Sequence, residues 1–447
     1  MGLFEHQKSG VAWLLKRERA EAPKGGFLCD EMGLGKTIQL VETFRRNRVQ
    51  STLVIVPKSI VGQWRSELAK FGPELKVHVF DGPKRVWAEA DIVLMPYSLI
   101  EDIPPTHVWN RIVLDEGHEV RNPKSKMCRR LCNLKADIRW VVTGTPIFNS
   151  VKDFVTLCSF VGISKGNVLR NFEEIRKTYV LRRTRQETVD TLDFQNVELE
   201  MYPEERHLYE EAFEHGRETL SHANVNSMVV LECLLRTRQV MIWPQLYLDG
   251  LAKKDNEDPE LYDGRSRKHE ALFEMLKTHP DEKTLVFTQF TGEADYLQET
   301  LTAQSYPVFR LDGQVENTER ERRIQEFHAA PSNAIFLIQI KAGGVGLNLQ
   351  CASRVYILAP SWNPATELQA IGRSHRNGQK RKVVVRKLVY QAPSETLPSI
   401  EQSIVELQMA KSQVCADVLH DTRLLKQVPG MSQMKLRTIA KMFRKTK

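Results

Sequence analysis

The sequence predicts an α/β protein built from two parallel-sheet domains, with a helical insertion between them and a helical segment at the C-terminal end. Three observations carry that expectation. Short, near-continuous apolar runs alternate with longer helical stretches in the first third; the alternation lapses between roughly 196 and 265; it returns from 283 onward. Apolar runs without polar alternation belong to strands buried on both faces, as in parallel sheets joined by helical crossovers. At 447 residues the chain has room for about three domains.

Taken in order, the first set of runs is FLC (27–29), TLVIVP (52–57), VHVF (77–80), DIVLMP (91–96), RIVLDE (111–116) and RWVVTGTP (139–146). The segments EERHLYEEAFEHGRETL and MVVLECLLRTRQV then have helical spacing and few strand signals, and lead into the polar loop AKKDNEDPELYDGRSRKHE. A second set follows: TLVFTQF, VFRLDG, AIFLIQI, RVYILAP and VVVRKLVY. The expected divisions are 1–195 for the first α/β domain, 196–265 for the helical insertion and linker, 266–400 for the second α/β domain, and 401–447 for a bracing helix and basic tail. No sequence repeat of fixed period relates the two halves.

Composition narrows the class. With 41% hydrophobic and 27% charged residues the chain is too apolar for general disorder. No apolar run approaches the roughly 18 residues of a membrane span, and MGLFEHQKSG lacks a signal-peptide core, so neither a membrane partner nor secretion is expected. Seven cysteines, at 29, 128, 132, 158, 233, 351 and 415, form no C-x-x-C pair, which argues for reduced thiols and against structural zinc. The net charge of +8 favours an anionic partner, nucleic acid being the commonest. Six basic and no acidic residues fill the last fourteen, MKLRTIAKMFRKTK, which reads either as a phosphate-contacting end or as a solvated tail. The compartment stays open, with a nucleus or another DNA-containing space expected.

The stretch DEMGLGKT (30–37) nearly spells a phosphate loop, but Asp30 stands where G-x-x-x-x-G-K-[ST] has its first glycine. The physical parts are nevertheless present. Gly33 and Gly35 allow the turn, Lys36 supplies the cation for the β- and γ-phosphates, and Thr37 supplies a hydroxyl for Mg2+. The loop follows the run FLC and opens the helical stretch TIQLVETFRR. Some eighty residues on, RIVLDEGHEV ends an apolar run in two carboxylates; Asp115 suits a hard metal ion and Glu116 the polarisation of an attacking water. Both motifs fall at carboxyl ends of strands, where open α/β sheets collect ligands. Far away, in LQAIGRSHRNGQK, Arg373 and Arg376 are three apart and are expected on one helical face, as cations for a γ-phosphate or as a surface salt-bridge set.

At this point the motifs resemble a known family, the Swi/Snf-type ATPases of helicase superfamily two. The resemblance rests on LFEHQKSGVAWLL (3–15), DEMGLGKT, DEGH (115–118), TGTPIFN (143–149), KAGGVGLNLQCASRV (341–355) and WNPATELQAIGRSHRNGQ (362–379), in the family's order over nearly the whole chain. That family writes its phosphate loop D-E-x-G-x-G-K-T, so the resemblance extends the loop to Asp30, Glu31, Met32, Gly33, Leu34, Gly35, Lys36 and Thr37. It implies two RecA-like domains closing on ATP and Mg2+ while holding one tract of nucleic-acid backbone. Gln7 matches the residue that reads adenine; His118, Thr143, Gly144 and Thr145 match positions coupling hydrolysis to domain motion; Gly346 and Gln369 match the second domain's nucleotide face. Lys58, Gln63, Tyr97, Ser98, Gln289, Lys341 and Trp362 match DNA-facing positions, and their loops are expected on one face. Such contacts position a backbone without reading bases.

The chain departs from the family at Phe148, where glutamine is usual, at Ala359 and Ser361 in APSWNP, and at MIWP (241–244). Only Cys233 lies between 186 and 265, so the zinc ring inserted in some relatives is not expected. The resemblance thus implies a minimal motor, or the motor portion of something longer: an ATP-dependent translocase on double-stranded DNA that remodels or displaces DNA-bound protein, such as nucleosomes or transcription and repair complexes. Two alternatives stay open: a strand-separating DNA or RNA helicase, and a nucleic-acid-binding scaffold with little ATPase activity.

Overall fold

Two all-parallel sheets organise the computed structural model, which describes residues 2–104, 106–144, 151–184, 191–221, 227–313, 315, 317–343, 347–376 and 378–419. They fall in separate compact units, one formed by Met1–Glu187 and the other by Thr188–Gln413.

The first sheet contains β1 (Lys24–Leu28), β2 (Thr52–Val56), β3 (Val77–Val79), β4 (Ile92–Pro96), β5 (Val108–Asp115), β6 (Lys135–Val142) and β7 (Val180–Leu181), in the order β3-β4-β2-β5-β6-β1-β7. Every residue of β2 and β4 is buried, as their unbroken apolar spelling requires. The register fixes what leaves the sheet together. Val142 of β6 pairs with Leu28 of β1 on one side and with Asp115 of β5 on the other. The chain segments that follow these three strands, DEMGLGKT, EGH and TG, therefore emerge side by side at one carboxyl edge.

A helix over Glu5–Glu18 covers this sheet, burying Gln7, Gly10, Val11, Leu14, Arg17 and Glu18, a stripe at helical spacing. Its last residue is anchored by charge. Arg111 of β5 donates from Nε and Nη2 to the two Glu18 carboxylate oxygens at 2.7 and 2.6 Å, and both side chains are essentially sealed from solvent. Trp140 Nε1 and Asn47 Nδ2 donate to the same carboxylate at 2.9 and 2.6 Å, so its lone pairs are met and the ion pair is tolerated.

The second sheet contains β8 (Leu192–Leu199), β9 (Thr284–Thr288), β10 (Val308–Leu311), β11 (Ile335–Gln339), β12 (Arg354–Ile357) and β13 (Val383–Tyr390), ordered β10-β11-β9-β12-β13-β8. Residues 192–195 were expected in the first domain and 196–199 in the helical insertion; instead they form an edge strand here, pairing with all of β13. Half-exposed alternation in LDFQNVEL conceals that strand, because an edge partner needs only one buried face.

The helical stretch consists of Pro203–Ser221, Ser227–Ile242 and Pro244–Asp255. Tyr209, Phe213, Leu234 and Met241 from these helices share a core with Leu272, Val286, Leu337 and Tyr390. The segment placed between domains is thus packed as a layer of the second unit. Within the loop expected at 252–270, the helix ends at Asp255 and the next begins at Arg267. A C-terminal helix, Ile400–Leu419, starts beside this core: Tyr209 Oη accepts from the Ile400 amide at 3.2 Å, and Lys268 meets Glu401 at 2.5 Å in full burial. The basic tail lies outside the described residues.

Candidate active site

The phosphate-loop segment folds around two left-handed glycines. Gly33 has φ of 84° and Gly35 has φ of 75°, a region that side chains disfavour. Gly35 is the residue before the helix Lys36–Arg46, and a Cβ there would stand 2.5 Å from Gln7 Nε2. The close approach lets Gln7 Nε2 donate to the Leu34 carbonyl at 3.4 Å, while the Phe4 amide donates to Gln7 Oε1 at 3.0 Å. Gln7 is therefore seated against the loop itself, not buried at random. His6 also meets the Leu34 carbonyl, at 3.1 Å, and stacks on Phe4 with ring centroids 5.8 Å apart.

Lys36 turns back into its own loop, donating to the carbonyls of Asp30 at 3.0 Å and Glu31 at 3.4 Å. Burial lowers its pKa, opposed by the nearby carboxylates of Glu116, Asp115 and Asp30. A Cβ on Gly144 would lie 4.0 Å from Lys36 Nζ, so the TG turn borders the lysine. The sequence-predicted residues Lys36, Asp115, Glu116, Thr143 and Gly144 do converge.

Asp115 is held from three directions. Trp64 Nε1 donates to Oδ2 at 2.7 Å, the Glu116 amide donates to Oδ1 at 2.9 Å, and Tyr97 Oη donates to the Asp115 carbonyl at 2.8 Å. Burial and then the charge of Glu116 raise its carboxyl to about 6, against the hydrogen bond from Trp64. Glu116 adopts φ of 49°, a left-handed conformation uncommon for a side-chain-bearing residue and concentrated at functional sites. His118 Nδ1 lies 3.2 Å from Thr143 Oγ1 and 3.4 Å from Glu116 Oε2. Burial pushes that imidazole down to about 4, so it is neutral at pH 7 and lies between the residue after β6 and the glutamate, hydrogen-bonded to the former. Hard oxygen donors, the Asp115 carboxylate and the Thr37 hydroxyl in the first turn of the following helix, are of the kind Mg2+ takes.

Among the expected DNA-facing residues of the first unit, Lys58 and Ser98 are exposed and follow the adjacent strands β2 and β4, with Gln63 on the helix Val61–Phe71 beside them. Tyr97 is a correction. Its side chain is buried and its hydroxyl donates to the Asp115 backbone carbonyl, so it braces the main chain that bears the carboxylate. In the second unit the segments carrying Gln289, Lys341 and Trp362 follow β9, β11 and β12, three neighbouring strands. Gln289 Nε2 donates to Ala359 O and Ser361 Oγ, both at 3.2 Å, tying two of those loops together; Lys341 is exposed. Trp362 is half-buried on the core, with the Arg238 guanidinium 5.3 Å from its ring.

Arg373 and Arg376 require a second correction. The helix Pro364–Ile371, which carries Gln369, ends before them, and both arginines lie in the turn beyond. Gly372 disfavours continuation, and successive short-range bonds wind the chain off the helix: Arg373 N to Ala370 O at 3.1 Å and Arg376 N to Ser374 O at 3.1 Å. Arg373 is buried; Arg376 donates to the Leu347 carbonyl at 3.0 Å. Thr145 and Gly346 lie outside the described residues, as does Phe148.

Sequence reasoning missed three contributors. Trp64 reads as an ordinary core tryptophan, and only its indole N–H marks it. Arg182 and Arg183, in LRRTR, sit at the end of a two-residue strand too short to register as one. Arg182 Nη1 donates to the carbonyls of Cys29 at 2.8 Å and Gly144 at 3.1 Å, joining the strand before the phosphate loop to the TG turn.

Comparison with known proteins bears on this arrangement. Residues 6–193 match the SNF2-related domain and residues 267–378 the helicase conserved C-terminal domain. A probable global transactivator of Orgyia pseudotsugata multicapsid polyhedrosis virus is 29% identical, over 87% of this chain and 86% of that protein. A putative ATP-dependent helicase/translocase of Bacillus subtilis is 32% identical over 90% of this chain and 47% of its own length, and a chromatin remodeling factor of Schizosaccharomyces pombe 29% identical over 90% and 32%. Apart from the viral protein, the chain thus spans about a third to a half of these relatives. The Sulfolobus solfataricus SWI2/SNF2 ATPase core in complex with dsDNA aligns over 97% of this chain and 98% of its own, at 25% identity and a TM-score of 0.42. An SNF2-related domain followed by a helicase C-terminal domain, on two parallel-sheet units, means that the chain belongs to the Snf2-type ATPases of helicase superfamily two.

Proposed function

We propose that the protein hydrolyses ATP to move along double-stranded DNA and so remodels or displaces proteins bound there. One observation carries the reading: the register of β1, β6 and β5 delivers Lys36, the Thr143–Gly144 turn and the Asp115–Glu116 pair to a single sheet edge. In this reading Gln7 receives the adenine, and the loop from Asp30 to Thr37 cradles the phosphates with backbone N–H groups. Lys36 leaves its carbonyl partners to neutralise the β- and γ-phosphates. Glu116 orients the attacking water and takes its proton as the bond from the γ-phosphorus to the bridging oxygen breaks, releasing ADP and phosphate. Thr37 and Asp115 would hold Mg2+, which when bound supplies charge neutralisation to the phosphate oxygens. Arg373, Arg376, Gly346 and Gln369 are assigned to nucleotide binding by the family pattern.

His118 and Thr143 pass the state of Glu116 to β6. Lys58, Gln63, Ser98, Gln289, Lys341 and Trp362 are assigned to the DNA backbone, whose recognition needs donors without base readout. The relatives named as a chromatin remodeling factor and as a putative ATP-dependent helicase/translocase support an ATP-driven motor with chromatin among its loads. The test is ATP hydrolysis by Lys36→Ala and Glu116→Gln in the presence of duplex DNA. Turnover falls to background in both; a variant with wild-type turnover refutes the site.

A further inference from the structure

Asp30, the residue that spoils the ordinary phosphate-loop spelling, is completely buried, and its carboxylate is gripped by two side chains, Arg183 and Gln39. Arg183 donates to Asp30 Oδ1 from its backbone amide at 3.1 Å and from Nε at 3.0 Å, and its Nη2 donates to Oδ2. The same Nη2 donates to Gln39 Oε1 at 2.6 Å, while Gln39 Nε2 donates to Asp30 Oδ2 at 3.1 Å. Nη1 points the other way, to the carbonyl of His6 and to Ser9 Oγ at 3.0 Å. One guanidinium therefore touches three elements: the start of the phosphate loop, the helix that follows the loop, and the helix that bears Gln7.

The backbone around it is fitted to this role. The Cys29 amide donates to Leu181 O at 2.8 Å and the Glu31 amide to Arg183 O at 2.9 Å, continuing the β1–β7 pairing past the strand ends and fixing Asp30 opposite Arg183. Gly10 makes room, since a Cβ there would lie 1.9 Å from Gln39 Oε1 and 2.5 Å from Arg183 Nη2. Asp30 also reaches the chemistry directly, because its carbonyl accepts from Lys36 Nζ at 3.0 Å.

We propose that Arg183, acting through Asp30 and Gln39, is a positioning residue that sets the adenine-facing Gln7 and the phosphate-facing Lys36 at a fixed separation. The inference rests on the nucleotide reading above. A buried carboxylate needs a counter-charge, which lysine could provide; spanning Asp30, Gln39, His6 and Ser9 at once needs the planar fork of arginine. The clasp acts on nucleotide binding before any chemistry, so its loss raises KM and lowers base discrimination while kcat changes little.

The experiment compares wild type, Arg183→Lys and the charge-neutral pair Asp30→Asn with Arg183→Gln, which leaves no orphaned buried charge. Each is titrated with a fluorescent ATP analogue and with the GTP counterpart, melted thermally, and assayed for ATP hydrolysis with duplex DNA. The expected result is about 10-fold weaker ATP binding in both variants and a KM raised to match, with kcat within about threefold and the preference for ATP over GTP reduced. Wild-type affinity and discrimination in Arg183→Lys overturn the clasp and leave Arg183 as a counter-ion for Asp30. A melting point lowered with KM unchanged in the neutral pair overturns it also, as a purely structural contact. If wild type binds no ATP analogue, the nucleotide reading falls and takes the clasp with it; if wild type binds and hydrolyses ATP but the variants match it, only the clasp falls.

Discussion

Replacing Gly35 by alanine tests whether Gln7 and the phosphate loop form one site. The added Cβ meets two obstacles. At φ of 75° the backbone is in the left-handed region, where a side chain costs about 1–2 kcal/mol. The methyl would also stand 2.5 Å from Gln7 Nε2 and 2.9 Å from Ile38 Cγ2. Gln7 must then swing out, forfeiting the bond to Leu34 O, about 1 kcal/mol. Free of nucleotide, the loop relaxes into another conformation, and ATP must restore the original one. The cost therefore appears in affinity, about 2–3 kcal/mol or roughly 30- to 150-fold. Titration with a fluorescent ATP analogue measures it, with thermal unfolding confirming that the variant is folded. Affinity within about twofold of wild type would refute the reasoning, because it would mean that neither the turn nor the Gln7 contact shapes the site.

Other predictions follow from the same contacts. Arg111→Met orphans the buried Glu18 carboxylate and should cost about 3–5 kcal/mol, lowering the melting temperature of the first unit by roughly 6–20 °C in calorimetry; replacing Glu18 by methionine as well should recover most of that loss. Thr143→Val removes the hydroxyl 3.2 Å from His118 Nδ1 and should cut duplex-stimulated kcat about 10-fold with little change in the KM for ATP. Glu293, fully buried on the helix Thr291–Ala303, has its carboxyl raised from 4.5 to about 7 by desolvation. Unfolded chain releases that proton first as pH rises, so stability is complete below 4.5 and declines toward pH 7 and beyond. Glu293→Gln, which keeps an acceptor for the Gln289 amide, should flatten that decline in denaturant titrations at pH 5 and 8, whereas parallel curves would count against it.

Much of the fold is readable in advance because an unbroken apolar run between helical stretches meets its need for burial as a strand covered on both faces. TLVIVP, DIVLMP and VVVRKLVY became strands at Thr52–Val56, Ile92–Pro96 and Val383–Tyr390. Strands with one exposed face were not legible: LDFQNVEL lacks the density of buried residues that marks the others, and two residues at Val180–Leu181 leave no pattern. The motif glycines and carboxylates stood out because their chemistry restricts residue choice. Partners did not stand out. Nothing in MPYS says that Tyr97 turns inward to the Asp115 carbonyl, whereas LQAIGRSHR does carry a stop signal in Gly372, which the three-residue spacing of the arginines obscures. Arg183 is separated from Asp30 by more than 150 residues, so only the fold brings them together.

The central claim is best tested by measuring ATP hydrolysis by the purified protein with no polymer, with duplex DNA, with single-stranded DNA and with RNA. Salt is held fixed, because backbone binding falls steeply with ionic strength. A duplex-tracking motor gives strong stimulation by duplex DNA and little by the others. Preference for single strands or RNA contradicts translocation on duplex in favour of strand separation, and absence of hydrolysis under every condition contradicts the assignment of Lys36, Asp115 and Glu116.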